Sequence, residues 1–167
     1  MKRGVGVTPG RRSFQRLLQR WSPGRWLRTA RRWWARRSAL GPRGEREAAR
    51  RLRRAGIRVL ARNVRVPPGE ADIVCRGPDG RTIVLVEVKS RLRLPGQPLL
   101  SATVAPEASI TRAKLRRMLA TARWLAKVNR WGRRPVRLDV VAIEFERDER
   151  TGKLSASWRH HEGVARL

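Results

Sequence analysis

One short segment constrains the fold more than any other: the run from Thr82 to Lys89, in which an apolar stretch ends in Glu87 and Lys89. A run of aliphatic and β-branched residues that follows a Gly/Pro/Asp turn sequence, here residues 77–80, predicts a strand. Side chains alternate between the two faces of a strand. Glu87 and Lys89 are therefore predicted to leave one face side by side, with a carboxylate next to an ammonium.

The preceding segment predicts a partner for this strand. Residues Glu70 to Cys75 have the composition of a strand, and the turn at residues 77–80 indicates an antiparallel hairpin. In such a hairpin Asp72 can come near Glu87, which would bring two acids and Lys89 together at one end of a sheet.

Two neighbouring carboxylates repel each other, and a divalent cation relieves that repulsion. Hard oxygen ligands suit Mg²⁺ or Mn²⁺ and leave coordination positions for water and phosphate. Such a metal polarises a phosphodiester and lowers the pKa of a bound water, while Lys89 can orient that water or stabilise the developing charge. The alternative for Glu87 and Lys89 is an ordinary surface ion pair, which contributes little.

A helix is predicted from Glu45 to Ala55, with Gly56 as its stop. Its apolar stripe contains Ala48, Leu52 and Ala55, and Glu45 falls on the same stripe, whereas Glu47 does not. Glu45 is either a further acid of the site or a residue that interacts favourably with the helix dipole.

The remaining periodic segments predict an α/β domain in which helices pack on a mixed central sheet. Residues 41–167 are assigned to this domain, and residues 1–40 to a basic Arg/Trp-rich extension that is disordered or forms a short helix. The other predicted elements are strands at Ile57–Asn63, Val136–Phe145 and Leu154–His160 and a helix at Ser109–Asn129.

The charge of the chain favours a polyanionic partner. Its formal net charge is +28, and no acidic residue precedes Glu45. A field of this size attracts nucleic acid and releases counterions on binding. Genomic bias toward arginine is the alternative, although it does not explain the lack of acids in the first quarter.

The single cysteine, Cys75, excludes an intrachain disulfide and favours a reducing, cytoplasmic location. No apolar run approaches the length of a membrane span. The Arg/Trp-rich extension also leaves two other hypotheses open, an organelle transit peptide and a helix on an anionic membrane surface.

Several short motifs follow one another in the order of a known family. They are Gly41-x-x-Gly44-Glu45-x-x-Ala48, Asn63-x-Arg65, Gly69-Glu70-Ala71-Asp72-Ile73-Val74, Val86-Glu87-Val88-Lys89-x-Arg91 and Arg137-Leu138-Asp139-Val140-Val141. From about Gly41 to the C-terminus the chain resembles the YraN family of bacterial proteins. That family is similar to the PD-(D/E)XK nucleases and, among these, to archaeal Holliday-junction resolvases.

The resemblance implies a restriction-endonuclease-like fold and a Mg²⁺- or Mn²⁺-dependent site. It implies that Asp72 and Glu87 are metal ligands, joined by the main-chain carbonyl of Val88, that Lys89 is the catalytic lysine, and that Glu45 is the helical acid. The chain departs from the family pattern at Ala71, in a longer loop after Arg91 and in the N-terminal extension. The residues expected to contact nucleic acid are Arg65, Arg91, Lys114 and Arg117.

Two functions follow as hypotheses. The first is a metal-dependent endonuclease that hydrolyses DNA, with branched or structured DNA as its substrate. A homodimer of such an enzyme would have two sites for cutting two strands. The second is a nucleic-acid-binding protein on a nuclease scaffold without significant turnover. A membrane-surface protein held by the extension is a third, less favoured alternative.

Overall fold

The computed structural model describes residues 40–93 and 110–167, which contain five strands and two helices. Residues 1–39 and 94–109 lie outside the described residues, and so do the predictions for the extension and for most of the loop after Arg91. The elements are α1 (Leu40–Arg54), β1 (Arg58–Val66), β2 (Gly69–Arg76), β3 (Ile83–Arg93), α2 (Arg112–Val128), β4 (Val136–Arg147) and β5 (Leu154–Arg166).

The strands form one sheet in the order β1-β2-β3-β4-β5. The pairs β1–β2, β2–β3 and β4–β5 are antiparallel, whereas β3 and β4 are parallel. A parallel pair needs a crossover connection, and the segment between β3 and β4 contains α2. The predicted mixed α/β fold with flanking helices is confirmed, and so is the antiparallel hairpin of β2 and β3.

The two helices carry the apolar residues that cover the sheet. On α1, Ala48, Ala49 and Leu52 belong to a buried cluster with Val84 and Val86 of β3. Side-chain alternation places Leu85 and Glu87 on the opposite face of β3. There α2 packs against β2, with Met118, Thr121, Ala122 and Leu125 as its buried residues.

Most differences from the predicted elements are at their ends. The helix α1 begins at Leu40 rather than Glu45, with Pro42 in its first turn, where the missing N–H of proline has no helical partner to lose. Ala55 is exposed rather than in the core, because α1 ends at Arg54 and Gly56 follows with φ of +77°.

The two strands that pair with β4 extend furthest beyond their predicted ends. The strand β3 continues past Lys89 to Arg93, and β5 continues past His160 to Arg166. Main-chain pairing with a neighbour can extend a strand through residues whose side chains give no strand signal. Neither described helix is long and apolar enough to cross a membrane.

The strand β3 pairs with β4 over a longer stretch than with β2, and this difference leaves an opening in the sheet. It pairs with β4 along its whole length, from Ile83 to Arg93. Its pairing with β2 ends at Ile73 and Val86, although β2 itself continues to Gly69 alongside β1. The two strands therefore separate after Val86, and we call this opening the strand fork.

Candidate functional site

Glu87 lies directly after the last paired residue of the strand fork, with two lysines against its carboxylate. The Lys89 Nζ is 3.1 Å from its Oε1, and the Lys114 Nζ is 2.8 Å from its Oε2. Glu87 is only 6% exposed. A carboxylate this buried requires compensating charge, which one lysine on its own strand and one on α2 provide.

Asp72 lies on the other side of the strand fork and is 5% exposed. Its Oδ2 accepts a hydrogen bond of 2.8 Å from the main-chain N–H of Val88. The pairing of Ile73 with Val86, together with side-chain alternation, puts Asp72 on the same face of the sheet as Glu87. Two acids from neighbouring strands thus share one face of the sheet at one end of β3, as the hairpin interpretation predicted.

Glu45 lies at the same end of β3 but on α1, which packs on the face of the sheet opposite Asp72 and Glu87. It is buried, and the preceding Gly44 touches β3 so closely that an added Cβ would lie 2.6 Å from the Ser90 Cβ and 3.8 Å from the Val88 Cγ1. The absence of a side chain at residue 44 lets the helix approach the strand. Glu45 is thereby held in the interior next to the part of β3 that carries Lys89.

The donor chemistry of this site fits a hard divalent cation. Mg²⁺ is commonly bound through one or two carboxylates and completes its octahedron with water and substrate phosphate, and Asp72 and Glu87 are such a pair. Within residues 40–93 and 110–167, no group of three or more His, Cys, Asp or Glu side chains is arranged to hold a metal. A cation bound here would therefore need further ligands from solvent, main chain or substrate, and it would compete with Lys89 and Lys114 for Glu87.

The basic residues predicted to contact nucleic acid have different surroundings. The Arg91 Nε donates to the Glu144 Oε2 at 2.7 Å, and the Arg65 Nε lies 3.6 Å from the Glu70 Oε2. The aliphatic part of Arg117 covers Gly69, where an added Cβ would lie 3.0 Å from its Cγ. Arg65, Arg91 and Arg117 are exposed and Lys114 is partly so, and their role in binding nucleic acid stays a prediction.

Another buried acid, Asp139, forms a cluster between β4 and β5 that was not predicted. It is fully buried and accepts hydrogen bonds from the Gly163 N–H at 2.8 Å and from the Arg137 guanidinium, and its Oδ2 lies 2.9 Å from the His160 Nε2. Burial alone would raise the pKa of Asp139, but the hydrogen bonds with His160, Gly163 and Arg137 outweigh it and lower the pKa. An acid within an apolar strand indicates that it has a buried partner. Which residue is that partner follows only from the register between β4 and β5.

The thiol of Cys75 is buried. Burial and, to a smaller extent, the charge of Asp139 raise its pKa to about 12. Glu144 was not predicted as a buried acid either. It is buried on β4 and forms ion pairs with Arg91 and Arg93, which lie on the part of β3 that extends past the predicted strand end.

The fold and the site define a class: a mixed α/β protein with a buried acid between two lysines where two strands of its sheet separate. The chain belongs to the UPF0102 family, since the model described as uncharacterised protein family UPF0102 matches residues 44–143. The resemblance to the YraN family is thereby confirmed. The matched range includes Asp72, Glu87 and Lys89.

Individual relatives agree with this family assignment. The chain is 44% identical to a UPF0102 protein of Beutenbergia cavernae over 108 residues, which are 64% of this chain and 83% of the relative. It is 38% identical to one of Syntrophotalea carbinolica over 113 residues, 68% of this chain and 85% of the relative. It is 44% identical to one of Cupriavidus taiwanensis over 114 residues, 68% of this chain and 79% of the relative.

Proposed function

We propose that this protein is a metal-dependent endonuclease that hydrolyses phosphodiester bonds in DNA, with branched or otherwise structured DNA as its substrate. One observation carries the proposal: the buried carboxylate of Glu87 lies between two lysine ammonium groups, on the same face as Asp72 of the neighbouring strand. Acids that can hold a hard cation, placed next to cations that can contact phosphate, are the groups that phosphodiester hydrolysis needs.

Each side chain has a role in this proposal. Asp72 and Glu87 would hold a Mg²⁺ or Mn²⁺ ion, which would polarise the phosphate and supply an activated water. The Lys89 and Lys114 side chains are 43% and 32% exposed, so they can exchange their contact with Glu87 for one with an incoming phosphate. Their charge would then stabilise the negative charge that develops on the phosphate oxygens. Glu45 would act from α1 as a further acid of the site.

The charge of the whole chain supports nucleic acid as the substrate. A formal net charge of +28 favours association with a polyanion and makes the association sensitive to salt. DNA in a reducing cytoplasm is compatible with the single buried cysteine. A homodimer would provide two sites for two strands, and this arrangement is part of the proposal.

The test compares cleavage by the wild-type chain and by Asp72→Asn. Labelled four-way junction, linear duplex and single-stranded DNA are incubated with Mg²⁺, Mn²⁺, Ca²⁺ or EDTA. We expect cleavage of the junction with Mg²⁺ or Mn²⁺ and a loss of more than about a hundredfold in Asp72→Asn, since even the loss of an outer-shell partner of a metal ligand causes a 10- to 100-fold effect. Asparagine keeps an oxygen that can accept from the Val88 N–H, so the fold should survive.

Arg58→Gln is the control, because Arg58 is an exposed residue at the start of β1, where it pairs with Arg76 at the end of β2 that is remote from the strand fork. Its cleavage rate should equal that of the wild type within about twofold, as surface changes away from special features have small effects. Cleavage that persists in Asp72→Asn would exclude the proposed site.

A second function is favoured by another observation. The two oxygens of Glu87 are both engaged by lysines, and in residues 40–93 and 110–167 no third acid, His or Cys completes a metal-binding group. This arrangement would suit a nucleic-acid-binding protein on a nuclease scaffold without significant turnover. That function predicts tight, salt-sensitive DNA binding with no cleavage in the presence of any divalent cation.

A further inference from the structure

A groove of about 630 Å³ lies between α1 and the β4–β5 end of the sheet, away from the strand fork. Four arginines of α1 line one side, and apolar and small residues of β4 and β5 line the other. We call it the arginine groove; its lining residues are Arg43, Arg46, Glu47, Arg50, Arg51, Phe145, Leu154, Ser155 and Ala156.

Contacts with the sheet hold two of the arginines in place. The Arg43 guanidinium lies over the ring of Phe145, 5.5 Å from its centroid, and that of Arg51 lies 5.8 Å from the ring centroid of Trp158. Arg51 also donates to the main-chain carbonyl of Ala156. An arginine oriented by an aromatic face loses less conformational entropy when it binds an anion.

The groove keeps an excess of positive charge. Among the described residues that line it, Glu47 is the one acid, and it is shared by Arg50 and Arg51, each at 2.6 Å. In the part of the chain that the structure describes, neither Arg43 nor Arg46 forms an ion pair with an acid. Arg43, Arg46 and Arg50 are all exposed on the same side of the helix, at spacings of three and four residues.

The arginine groove and Glu87 lie on opposite faces of the sheet, because Phe145 packs with α1, Val84 and Val86, whereas Glu87 leaves the other face of β3. Glu87 pairs with Val140 of β4, and Phe145 lies five residues further along the same strand. At about 3.3 Å per residue this separation is about 17 Å along the sheet.

We propose that the arginine groove binds the sugar–phosphate backbone of DNA. This inference rests on the proposed function in one respect, that DNA is the partner. The groove presents guanidinium groups in a row, which match phosphate oxygens. It therefore positions the substrate and does not read the base sequence.

The test measures binding by the full-length chain without cleavage. Fluorescence anisotropy of a labelled 30-base-pair duplex is recorded in EDTA over a range of salt concentrations. The variant Arg43→Gln/Arg46→Gln/Arg50→Gln removes charge from the groove, and glutamine has a helix propensity similar to that of arginine. The control Arg58→Gln/Arg123→Gln/Arg133→Gln removes the same charge from exposed residues elsewhere.

We expect the groove variant to bind at least about tenfold more weakly near physiological salt, with a salt slope smaller by about two to three, since each lost phosphate contact lowers the slope by about 0.9. The control variant should lose less than about threefold. Arg46→Glu alone is a second variant that leaves the ring contacts of Arg43 and Arg51 in place, and it should weaken binding in the same direction. Equal losses in the groove and control variants would overturn the proposal.

Two further measurements distinguish DNA binding by the groove from membrane binding and from catalysis. Vesicles containing phosphatidylglycerol present lipid phosphate, and a groove variant that loses vesicle binding but keeps DNA binding would assign the groove to a membrane and overturn the proposal. In single-turnover cleavage, the groove variant should need a higher DNA concentration than the wild type for its half-maximal rate, whereas Asp72→Asn should bind DNA but not cut it. If the wild type does not cut DNA, the proposed function fails. The difference in DNA affinity between the groove and control variants still shows whether the groove binds DNA.

Discussion

At the scale of the residue, the candidate site depends on how Glu87 is neutralised. Its carboxylate is buried, and the Lys89 and Lys114 ammonium groups contact one oxygen each. The two lysines lie on different elements: Lys89 is two residues from Glu87 on β3, and Lys114 is on α2. A cation that binds Glu87 must compete with both, so either lysine can be tested as a competitor.

Lys114→Met should destabilise the protein and increase the stabilisation that Mn²⁺ provides. Removal of one charged partner from a buried carboxylate is expected to lower the free energy of unfolding by about 1–2 kcal/mol. Mn²⁺ should then restore stability, by about 1.4 kcal/mol at ten times its Kd, and more in this variant than in the wild type. Urea unfolding with and without Mn²⁺ measures both effects.

Lys127→Met is the matched control, because Lys127 is exposed in the last turn of the same helix. Its response to Mn²⁺ should equal that of the wild type. If Mn²⁺ stabilises Lys114→Met no more than the wild type, Lys114 does not compete with a metal at Glu87.

At the scale of the element, the approach of α1 to β3 depends on Gly44. A Cβ at this residue would lie 2.6 Å from the Ser90 Cβ and 2.8 Å from its Oγ, so either the helix or the strand would have to move. Because Glu45 follows directly, such a movement would also displace a buried acid next to the site. Glycine at residue 44 of the Gly44-Glu45 motif therefore allows α1 to pack closely against β3.

Gly44→Ala should destabilise the protein although alanine is the better helix former. Overpacking is expected to lower the free energy of unfolding by about 1–3 kcal/mol, which exceeds the gain of about 1 kcal/mol in helix propensity over most of this range. A double-mutant cycle with Ser90→Gly, which removes the clashing atoms, should show a favourable coupling energy in urea unfolding.

Gly41→Ala in the same helix is the control, because nothing lies within 4 Å of a Cβ added there. It should leave stability unchanged or raise it by a few tenths of a kcal/mol. Equal effects at residues 41 and 44, or no coupling with Ser90, would show that the close contact does not limit the packing of α1.

At the scale of the whole molecule, a very basic chain is held together partly by buried acids. Asp139 joins β4 to β5 through Arg137, His160 and Gly163, and Glu144 pairs β4 with arginines of β3. With a net charge of +28, protonation of these acids removes attraction and leaves the repulsion among cations. We therefore expect the fold to be sensitive to acid.

Asp139→Asn tests this expectation. The pKa of Asp139 is lower in the folded chain than the value of about 3.9 for an unfolded aspartate. Its stabilisation is therefore fully present above that value and is lost as the pH falls through the folded pKa. At pH 7 the variant should lose about 2–4 kcal/mol, because Arg137 and His160 lose their buried partner.

Urea unfolding at pH 7 and pH 3 measures this change, and the difference between wild type and variant should shrink at the lower pH. Glu149→Gln, at an exposed residue after β4, is the control and should behave like the wild type. A difference that is the same at both pH values would mean that the charge of Asp139 contributes nothing.

Local periodicity and turn residues were sufficient to predict the hairpin of β2 and β3, the two helices and the mixed sheet. They also placed Asp72 and Glu87 on one face, because side-chain alternation and hairpin register are local properties. The ends of α1, β3 and β5 were predicted less well, since strand length depends on the neighbouring strand.

The amino-acid sequence by itself determined the class of fold, the family motifs and the two acids of the strand fork. Only the tertiary structure decided that Lys114 contacts Glu87, that Asp139 pairs with His160, and that Arg43 of α1 lies over the ring of Phe145. Each of these contacts joins elements that are distant in the chain. Strand order and helix placement bring them together, and these depend on how the whole core packs rather than on any local pattern.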